Sequence, residues 1–544
     1  MNALVSTPAR TGVLIASQAA AKPSALAVWR KRLLSDGFLV FALVSLVFCA
    51  SGWWLAVIQN SVPGDALSRT YSADAVLYAH EPHLATLGFI WPPLPAFSQI
   101  ILLRFLPSLA YYGFSGNIIT AISAGILAAV LTKGLRGLGL GRWGSIAVVV
   151  LLFLNPMMAA FASNGMSEMP FLLFLTLAVF GFSKWCREGR WQPLAAAGFA
   201  CAAMFFCRYD AAVIAPAMAM SIVFVMRLSH REFFPPKVEA NMLAFLVPVV
   251  YVGFIWLYLN RLIMGSALYF WNSEYSNLYL TRDLKLSQEV IALQGSLVTT
   301  AKYFITLVGG FSPLFLAACV LAGVVVIWKR DVALATYAVI LLAAPLFQLY
   351  EYRSGSTFKF NRFYISVIVS GILLTAFALH SLWQDRHQRI KLLALVLGML
   401  ACNVVTWNTI EQQWDPALPH EEGMFVQGLK HPLTSQEDFS NDAKAAAYLD
   451  EHVKDRSILI DSVGANVAVL SGRLGLFILP SDSDWMDAAT HPQEKVRYIV
   501  TVGNITREYH AFDDLYPGIF DNGTAFTSLE ADFDNIRIYR VNGS

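Results

Sequence analysis

The sequence predicts a polytopic α-helical membrane protein of about 11 transmembrane helices with a C-terminal soluble α/β domain. Three observations predict it. Of 544 residues, 56% are apolar or aromatic and only 14% are charged, against about 25% charged in soluble domains, so a bilayer must cover part of the apolar surface. The apolar residues gather in runs of the length that crosses a ~30 Å hydrocarbon core. From about residue 410 the chain turns polar and alternates between strand and helix periodicities. The net charge of +2 singles out no partner, and no basic, aromatic-studded face points to nucleic acid.

The elements follow in order. Residues 1–37 are mixed and end near the basic patch Arg30, Lys31 and Arg32. The run 38–58 reads as a retained first helix rather than a cleavable signal. Further spans are expected at 111–132, 144–163, 169–185, 193–207, 211–226, 242–260, 309–328, 332–350, 363–383 and 392–407; those at 193–207 and 211–226 are short for a span. With the N-terminus cytoplasmic, alternate loops should be basic. They carry Lys133, Arg136 and Arg142; Lys184, Arg187 and Arg190; Arg227, Arg231 and Lys237; Lys329 and Arg330; Arg386, Arg389 and Lys391. An odd number of spans puts the tail outside, in a plasma or inner membrane rather than the endoplasmic reticulum. The transmembrane unit is then 38–409, with long outer loops at 59–110 and 261–305 and a short one at 351–362. Residues 410–544 form the extracytoplasmic domain.

In that domain Ala445, Leu449 and Val453 share one helical face. A second helix is expected at 464–470, and strands at 457–460, 476–479, 496–502 and 536–541. Neither a phosphate-cradling glycine loop nor a nucleophile elbow is present there, so docking, acceptor binding or a lid suits the domain better than chemistry. The glycine-rich 134–141 stretch joins two spans with no strand before it, which argues against a dinucleotide loop. All six cysteines lie in or beside apolar runs and suit small buried hydrophobes rather than a disulfide framework or a zinc site. The sequons at Asn504 and Asn522 are of a kind that arises often by chance.

Asp65 lies just past the first span, at the water boundary. A carboxylate there can take a proton from a hydroxyl or cap a helix starting at Ala66; both roles are compatible. Arg69 stands four residues on, suited to a same-face ion pair. Asp74, nine residues on, faces the other way on a continuous helix. His80, Glu81 and His83 are metal-ligating types, but their spacing matches no strong motif and Pro82 breaks the helix. No metal ligand is assigned, and a divalent ion stays open as a cofactor. Glu168 opens a span on the outer side, where the helix dipole favours an acid and Ser167 or Asn164 can cap. Arg208 and Asp210 interrupt an apolar stretch. Charges at membrane depth are costly and point to function, or to pairs (Arg208–Asp210, Arg208–Glu168) that pin helices. Arg261 begins the second long outer loop. Arg353, Lys359 and Arg362 are three cations on a face that should be poor in them. Arg grips phosphate bidentately and Lys acts as a point charge, so an anionic ligand or lipid headgroups account for them.

In this order the segments resemble the C-type (GT-C) integral membrane glycosyltransferases, the broad group of the dolichyl-phosphate-mannose-dependent protein mannosyltransferases. The resemblance rests on Gly64-Asp65 after the first helix, Trp91-Pro-Pro-Leu94 and Ser167-Glu168. Arg208-Tyr-Asp210 is similar to the family's Arg-Pro-acid element, with Tyr209 in place of Pro. Gly265-Ser-Ala-Leu-Tyr-Phe270 is similar to its Gly-Asp-Pro-Leu-Tyr-Phe element, with Ser266 and Ala267 substituted. The resemblance covers most of the chain. It implies sugar transfer from a polyprenyl-phosphate-linked donor to a hydroxyl on a glycan, lipid or protein acceptor, with inversion. Asp65 would be the general base. Arg353, Lys359 and Arg362, with Arg261, would steady the leaving phosphate, and Arg69, Asp74, Glu168, Arg208 and Asp210 would contact substrate. The rival from another class is a secondary transporter or flippase of lipid-linked sugars. Transporters favour internal repeats and broken helices at the midplane, whereas no repeat is detected here and the charges gather at the outer boundary. A non-catalytic scaffold is the third reading.

Overall fold

The computed structural model describes residues 36–229, 234–416, 419–433, 439–503 and 510–542. Arg30, Lys31, Arg32, Arg231 and the sequon at Asn504 lie outside them. Eight helices among the described residues are long and apolar enough to cross a membrane: Asp36–Ile58, Ser115–Gly137, Glu168–Glu188, Ala211–Leu228, Pro235–Met264, Val332–Ser354, Asn361–Trp383 and Gln388–Gln412.

Three expected spans depart from plain helices. The run at 144–163 is two helices, Arg142–Phe153 and Pro156–Ser163, bent by 77°. Pro156 has no N–H to continue the ladder. Asn155 takes over the junction: its Oδ1 accepts from Met158 N at 3.4 Å and its amide donates to Thr406 Oγ1 at 3.0 Å. The run at 309–328 is divided at Ser312, where Leu297–Phe311 ends and Pro313–Lys329 begins. Pro313–Lys329 lies along Ser366–Trp383: Ser312 donates to Val367 O at 3.2 Å, and Lys329 donates to Ser381 O at 2.6 Å. The third, Trp191–Phe205, packs between Glu168–Glu188 and Pro235–Met264. Among the described residues the eight become up to ten candidate crossings if each of two bent pairs is one span, against the eleven expected; Trp191–Phe205 and Pro313–Lys329 are shorter apolar helices. A second bent pair, Gln288–Gly295 and Leu297–Phe311 at 117°, fills the later part of the connection after Met264. Small residues let neighbours approach closely; any side chain at Gly125 would run into Ser45 and Phe41 on the first helix.

The C-terminal unit holds a five-stranded sheet of order β2-β1-β3-β5-β4: β1 Ile458–Leu459, β2 Phe477–Ile478, β3 Tyr498–Val502, β4 Thr527–Asp532 and β5 Ile536–Val541. β1 runs parallel to β2 and β3, and β5 antiparallel to β3 and β4. Both sheet faces are covered, so adjacent residues of β1 are both buried, as in sheets packed on two sides. Ile458 joins a core with Leu449 and Phe477, and Leu459 one with Trp485 and Ile499. The first of these cores also takes Ala75 from helix Gly64–Tyr78 and Ala79 just past its end. Glu81 accepts from Ser483 N at 2.8 Å and from Ser483 Oγ at 2.7 Å, and His83 Nε2 lies 3.1 Å from Ser481 O. The Glu81 and His83 side chains thus fasten the C-terminal unit to the first loop. β4 was not expected from sequence.

Candidate active site

Several chain segments converge where the spans reach the first loop. Helix Gly64–Tyr78 starts two residues before Ala66, with Pro63 at its cap and no side-chain cap bond. Asp65 is therefore inside the first turn rather than capping it, and its carboxylate points away. Its Oδ2 accepts from Arg362 Nη2 at 2.8 Å. Arg362 sits in the short turn Asn361–Tyr364 before helix Ser366–Trp383, and its Nη1 donates to Glu421 Oε1 at 2.5 Å. Glu421 opens helix Glu421–Gly428 just after the last span.

A second network stands beside the first. Arg208 Nη1 donates to Glu168 Oε1 at 2.5 Å, and its Nε donates to Asp210 Oδ2 at 2.9 Å. Asp210 Oδ1 accepts from Gln348 at 2.7 Å. Both helix-pinning pairs expected from sequence thus exist together. Two side chains join the networks. Arg69 and Arg362 each direct Nη1 at Met166 Sδ, at 3.7 and 3.9 Å. Phe363 carries Arg208 at 5.2 Å and Arg362 at 5.6 Å from its ring centre. Gly165 makes the placement of Met166 and Glu168 possible. It adopts φ +80°, which glycine tolerates without strain, and an added Cβ would stand 3.2 Å from the backbone of Gly116. The motif at 91–94 is tied in as well: Leu94 N donates to Phe206 O at 2.9 Å, and Tyr209 OH to Ile90 O at 2.9 Å. Tyr209, in place of the family's Pro, stacks on Phe270 at 5.0 Å.

Burial sorts the charged groups. The side chains of Glu168, Asp210, Arg362 and Arg208 are 1, 5, 8 and 11% exposed, whereas Asp65 keeps 33%. Among the acids of the cluster Asp65 is the most exposed, ahead of Glu421 at 16%. Burial works against its ionisation, but the guanidiniums of Arg362, Arg69 and Arg208 outweigh it and hold the carboxyl below the usual carboxylate range. For Glu421 burial prevails over the pull of Arg362, with Glu422 and Asp65 adding repulsion, and its carboxyl is pushed up. Several buried polar atoms have no partner among the described residues: Arg69 Nε, Arg362 Nε, Glu168 Oε2, Gln348 Oε1 and Tyr364 OH. Such orphans are rare in finished interiors and mark spare capacity for a polar ligand. An aromatic slot walled by Phe89, Trp91 and Trp256 opens beside Arg69, whose guanidinium lies 4.6 Å from the Trp91 ring centre.

Other residues singled out by sequence fall elsewhere. Arg69 donates to Asp65 backbone O at 3.2 Å rather than to its carboxylate. Asp74 is 4% exposed on the opposite side of its helix, where burial pushes its carboxyl up to about 7. Arg353 donates to Leu293 O at 3.0 Å and Gln294 O at 2.9 Å, closing the end of helix Gln288–Gly295. Lys359 pairs with Glu289 at 2.8 Å, and Arg261 donates to Gly265 O. Of Arg261, Arg353, Lys359 and Arg362, Arg362 alone enters the cluster. Glu421, Gln348 and Met166 were missed by sequence reasoning. The signal for Glu421 was the acid pair Glu421-Glu422 just beyond the last span. No group of three or more His, Cys, Asp or Glu side chains suited to a metal exists among the described residues.

Residues 92–256 match the family model described as dolichyl-phosphate-mannose-protein mannosyltransferase, a segment that includes Glu168, Arg208 and Asp210. In three dimensions the chain is similar to crystal structures of ArnT from Cupriavidus metallidurans. With the form bound to undecaprenyl phosphate the TM-score is 0.53 at 14% identity, over 92% of this chain and 97% of that one. With the apo form it is 0.54 at 13% identity, over 93% and 98%. Among curated proteins no sequence relative matches. Neither match favours a transporter. The fold is thus similar to that of the ArnT structures, and the family likeness lies in residues 92–256.

Proposed function

We propose that the chain moves a sugar from a polyprenyl-phosphate-linked donor to an acceptor hydroxyl on a glycan, lipid or protein, at the extracytoplasmic mouth of the helical body. The carrying observation is Asp65: a reachable carboxylate, kept ionised by arginines, above a pocket of otherwise buried charge. Asp65 takes the acceptor's proton as the acceptor oxygen attacks the anomeric carbon. The bond from that carbon to the phosphate oxygen breaks on the far side, so the configuration inverts. The leaving polyprenyl phosphate carries the electron pair away, and charge developing on it calls for donors already in place. Arg362, Arg69 and Arg208 supply them. The polyprenyl chain lies between helices in lipid; the undecaprenyl phosphate bound to the ArnT relative supports this donor class.

Arg362 is engaged by Glu421 in the present geometry, and donor phosphate takes over that contact. The pushed-up carboxyl of Glu421 makes it a weak competitor. Glu168 and Asp210 hold Arg208 in position. Arg353, Lys359 and Arg261 hold loop and helix ends, and Asp74 supports the seat of the outer domain. No metal ligand set exists among the described residues, so no step is assigned to one.

The test is Asp65→Asn, assayed for sugar transfer in proteoliposomes with a polyprenyl-phosphate sugar. Loss of a general base lowers kcat by about 10²–10⁴-fold, while Asn keeps an oxygen for Arg362 and leaves folding intact. Undiminished transfer would remove Asp65 from the mechanism. Movement of the lipid-linked sugar across the bilayer without any transfer product would support the flippase instead.

A further inference from the structure

Four side chains of the acid–arginine cluster form one run of hydrogen bonds, from Gln348 through Asp210 and Arg208 to Glu168. The orientation of the Gln348 amide follows from its partner. An ionised carboxylate only accepts, so Nε2 faces Asp210, at 2.7 Å, and Oε1 faces away. That oxygen is buried and has no partner among the described residues, and the same holds for Glu168 Oε2 at the other end of the run. The run is thus satisfied within and leaves one unspent acceptor at each end. A third unspent group is the Tyr364 hydroxyl. The turn Asn361–Tyr364 packs against helix Val332–Ser354, which carries Gln348, and the hydroxyl lies within the field of the Asp210 charge. Packing calls for neither group. Gln348 stands in the apolar run Leu346-Phe-Gln-Leu349, where an amide oxygen without a hydrogen bond is costly. Phe at 364 would keep the ring contact with Phe304.

We propose that Gln348 and Tyr364 read hydroxyls of the donor sugar and so decide which sugar is transferred; this rests on the donor reading above. Arg208 and Gln348 meet on one carboxylate, so a phosphate on Arg208, whose Nη2 donates to neither acid, and a hydroxyl on Gln348 stand about one sugar ring apart. Gln348 Oε1 calls for a ligand that donates to it, and in a phosphosugar the hydroxyls are the donors. A sugar lacking the hydroxyl at that place leaves Oε1 stranded in the interior, which a site built around a hydrogen bond punishes more than a merely apolar pocket does. The Tyr364 hydroxyl can donate or accept and takes a second position of the ring.

The test measures kcat/KM of the full-length chain in proteoliposomes. Undecaprenyl-phosphate glucose, mannose and galactose are tried first, and the best of them is compared with its 2-, 3-, 4- and 6-deoxy analogues. The wild type should disfavour at least one deoxy donor by about 5- to 150-fold, the effect of stranding a buried acceptor. Gln348→Met, similar in volume but without the amide, should lose the discrimination at one ring position, and Tyr364→Phe at another. Tyr364→Phe removes a single oxygen and keeps the test decisive if Gln348→Met does not fold. A purely structural role predicts a lower rate that is equal for every donor; that result in both variants would overturn the proposal. A wild type indifferent to all four deoxy donors would overturn it too, because a fixed internal water would then satisfy Oε1. Failure of the wild type to transfer any of the three hexoses would instead overturn the donor reading on which the proposal rests.

Discussion

Arg208 offers the sharpest test of what holds the site together. It joins Glu168 at 2.5 Å and Asp210 at 2.9 Å, and all three side chains are at most 11% exposed. Arg208→Met strands two buried carboxylates. Removing one partner of a buried ion pair costs about 3–5 kcal/mol. Replacing a whole buried network by neutral groups is often neutral, so the triple variant Glu168→Gln/Arg208→Met/Asp210→Asn should recover at least about 2 kcal/mol of that loss. Asn at 210 keeps an oxygen for Gln348. The rival explanation is packing. The Arg208 guanidinium also lies 5.2 Å from the Phe363 ring centre and 5.8 Å from that of Phe171, and cation–π contacts contribute about 0.5–2 kcal/mol each. Packing lost with Arg208 would not return in the triple variant. The measurement is unfolding in mixed detergent–SDS micelles followed by circular dichroism, which needs no substrate. A triple variant no more stable than Arg208→Met would refute the electrostatic account and leave the aromatic contacts as what holds the junction.

The carboxyl of Asp65 titrates below the usual carboxylate range, so its contribution to stability is present above the unfolded value of about 3.9 and is lost as pH falls through the lower folded value. The acid limb of kcat/KM should then lie below about pH 4; a limb near neutrality would contradict an ionised Asp65 as base. Glu421→Gln removes the competitor for Arg362, so KM for the lipid-linked donor should fall severalfold, and a rise would mean that Glu421 helps to bind the donor. Asp74 has the opposite sign: its folded value of about 7 exceeds the unfolded one, so stability is fully present below about pH 4 and declines as pH rises towards 7. Asp74→Asn should abolish that slope and stabilise the chain at pH 8, by an amount on the order of a few kcal/mol; an unchanged slope in a thermal unfolding series would show that Asp74 does not cause it.

Much of the architecture was readable because a bilayer filters residues by hydropathy, and length then sets the spans. Asp65, Glu168, Arg208 and Asp210 were readable for a related reason: a charge beside an apolar run is costly enough to need an explanation. What hydropathy could not show was continuity. Asn155-Pro156 lies inside an apolar run, so the bend of 77° is invisible to any average over it, and the break at Ser312 is hidden in the same way. β4 was missed because Thr527–Asp532 is an edge strand with only weak alternation and a largely exposed burial pattern.

The harder failure concerned which cations face inward. Arg353, Lys359 and Arg362 look equivalent in sequence, since all three sit within one short outer loop. The backbone separates them. Arg353 lies in the last turn of helix Val332–Ser354, where the nearest acceptors are the carbonyls ending helix Gln288–Gly295. Arg362 lies in the turn that feeds helix Ser366–Trp383, and that helix is buried along nearly its whole length. A guanidinium there must find acids inside the protein. One is Asp65, from the other end of the helical body in sequence. The other is Glu421, which a drop in hydropathy near residue 410 had assigned to a separate unit. The boundary drawn by composition thus cut through the site, because the residue that completes the arginine's coordination belongs to the first helix after the membrane. Spans are decided locally by solvent, but the active centre of such a fold is decided by which buried charges must neutralise one another once those spans have packed.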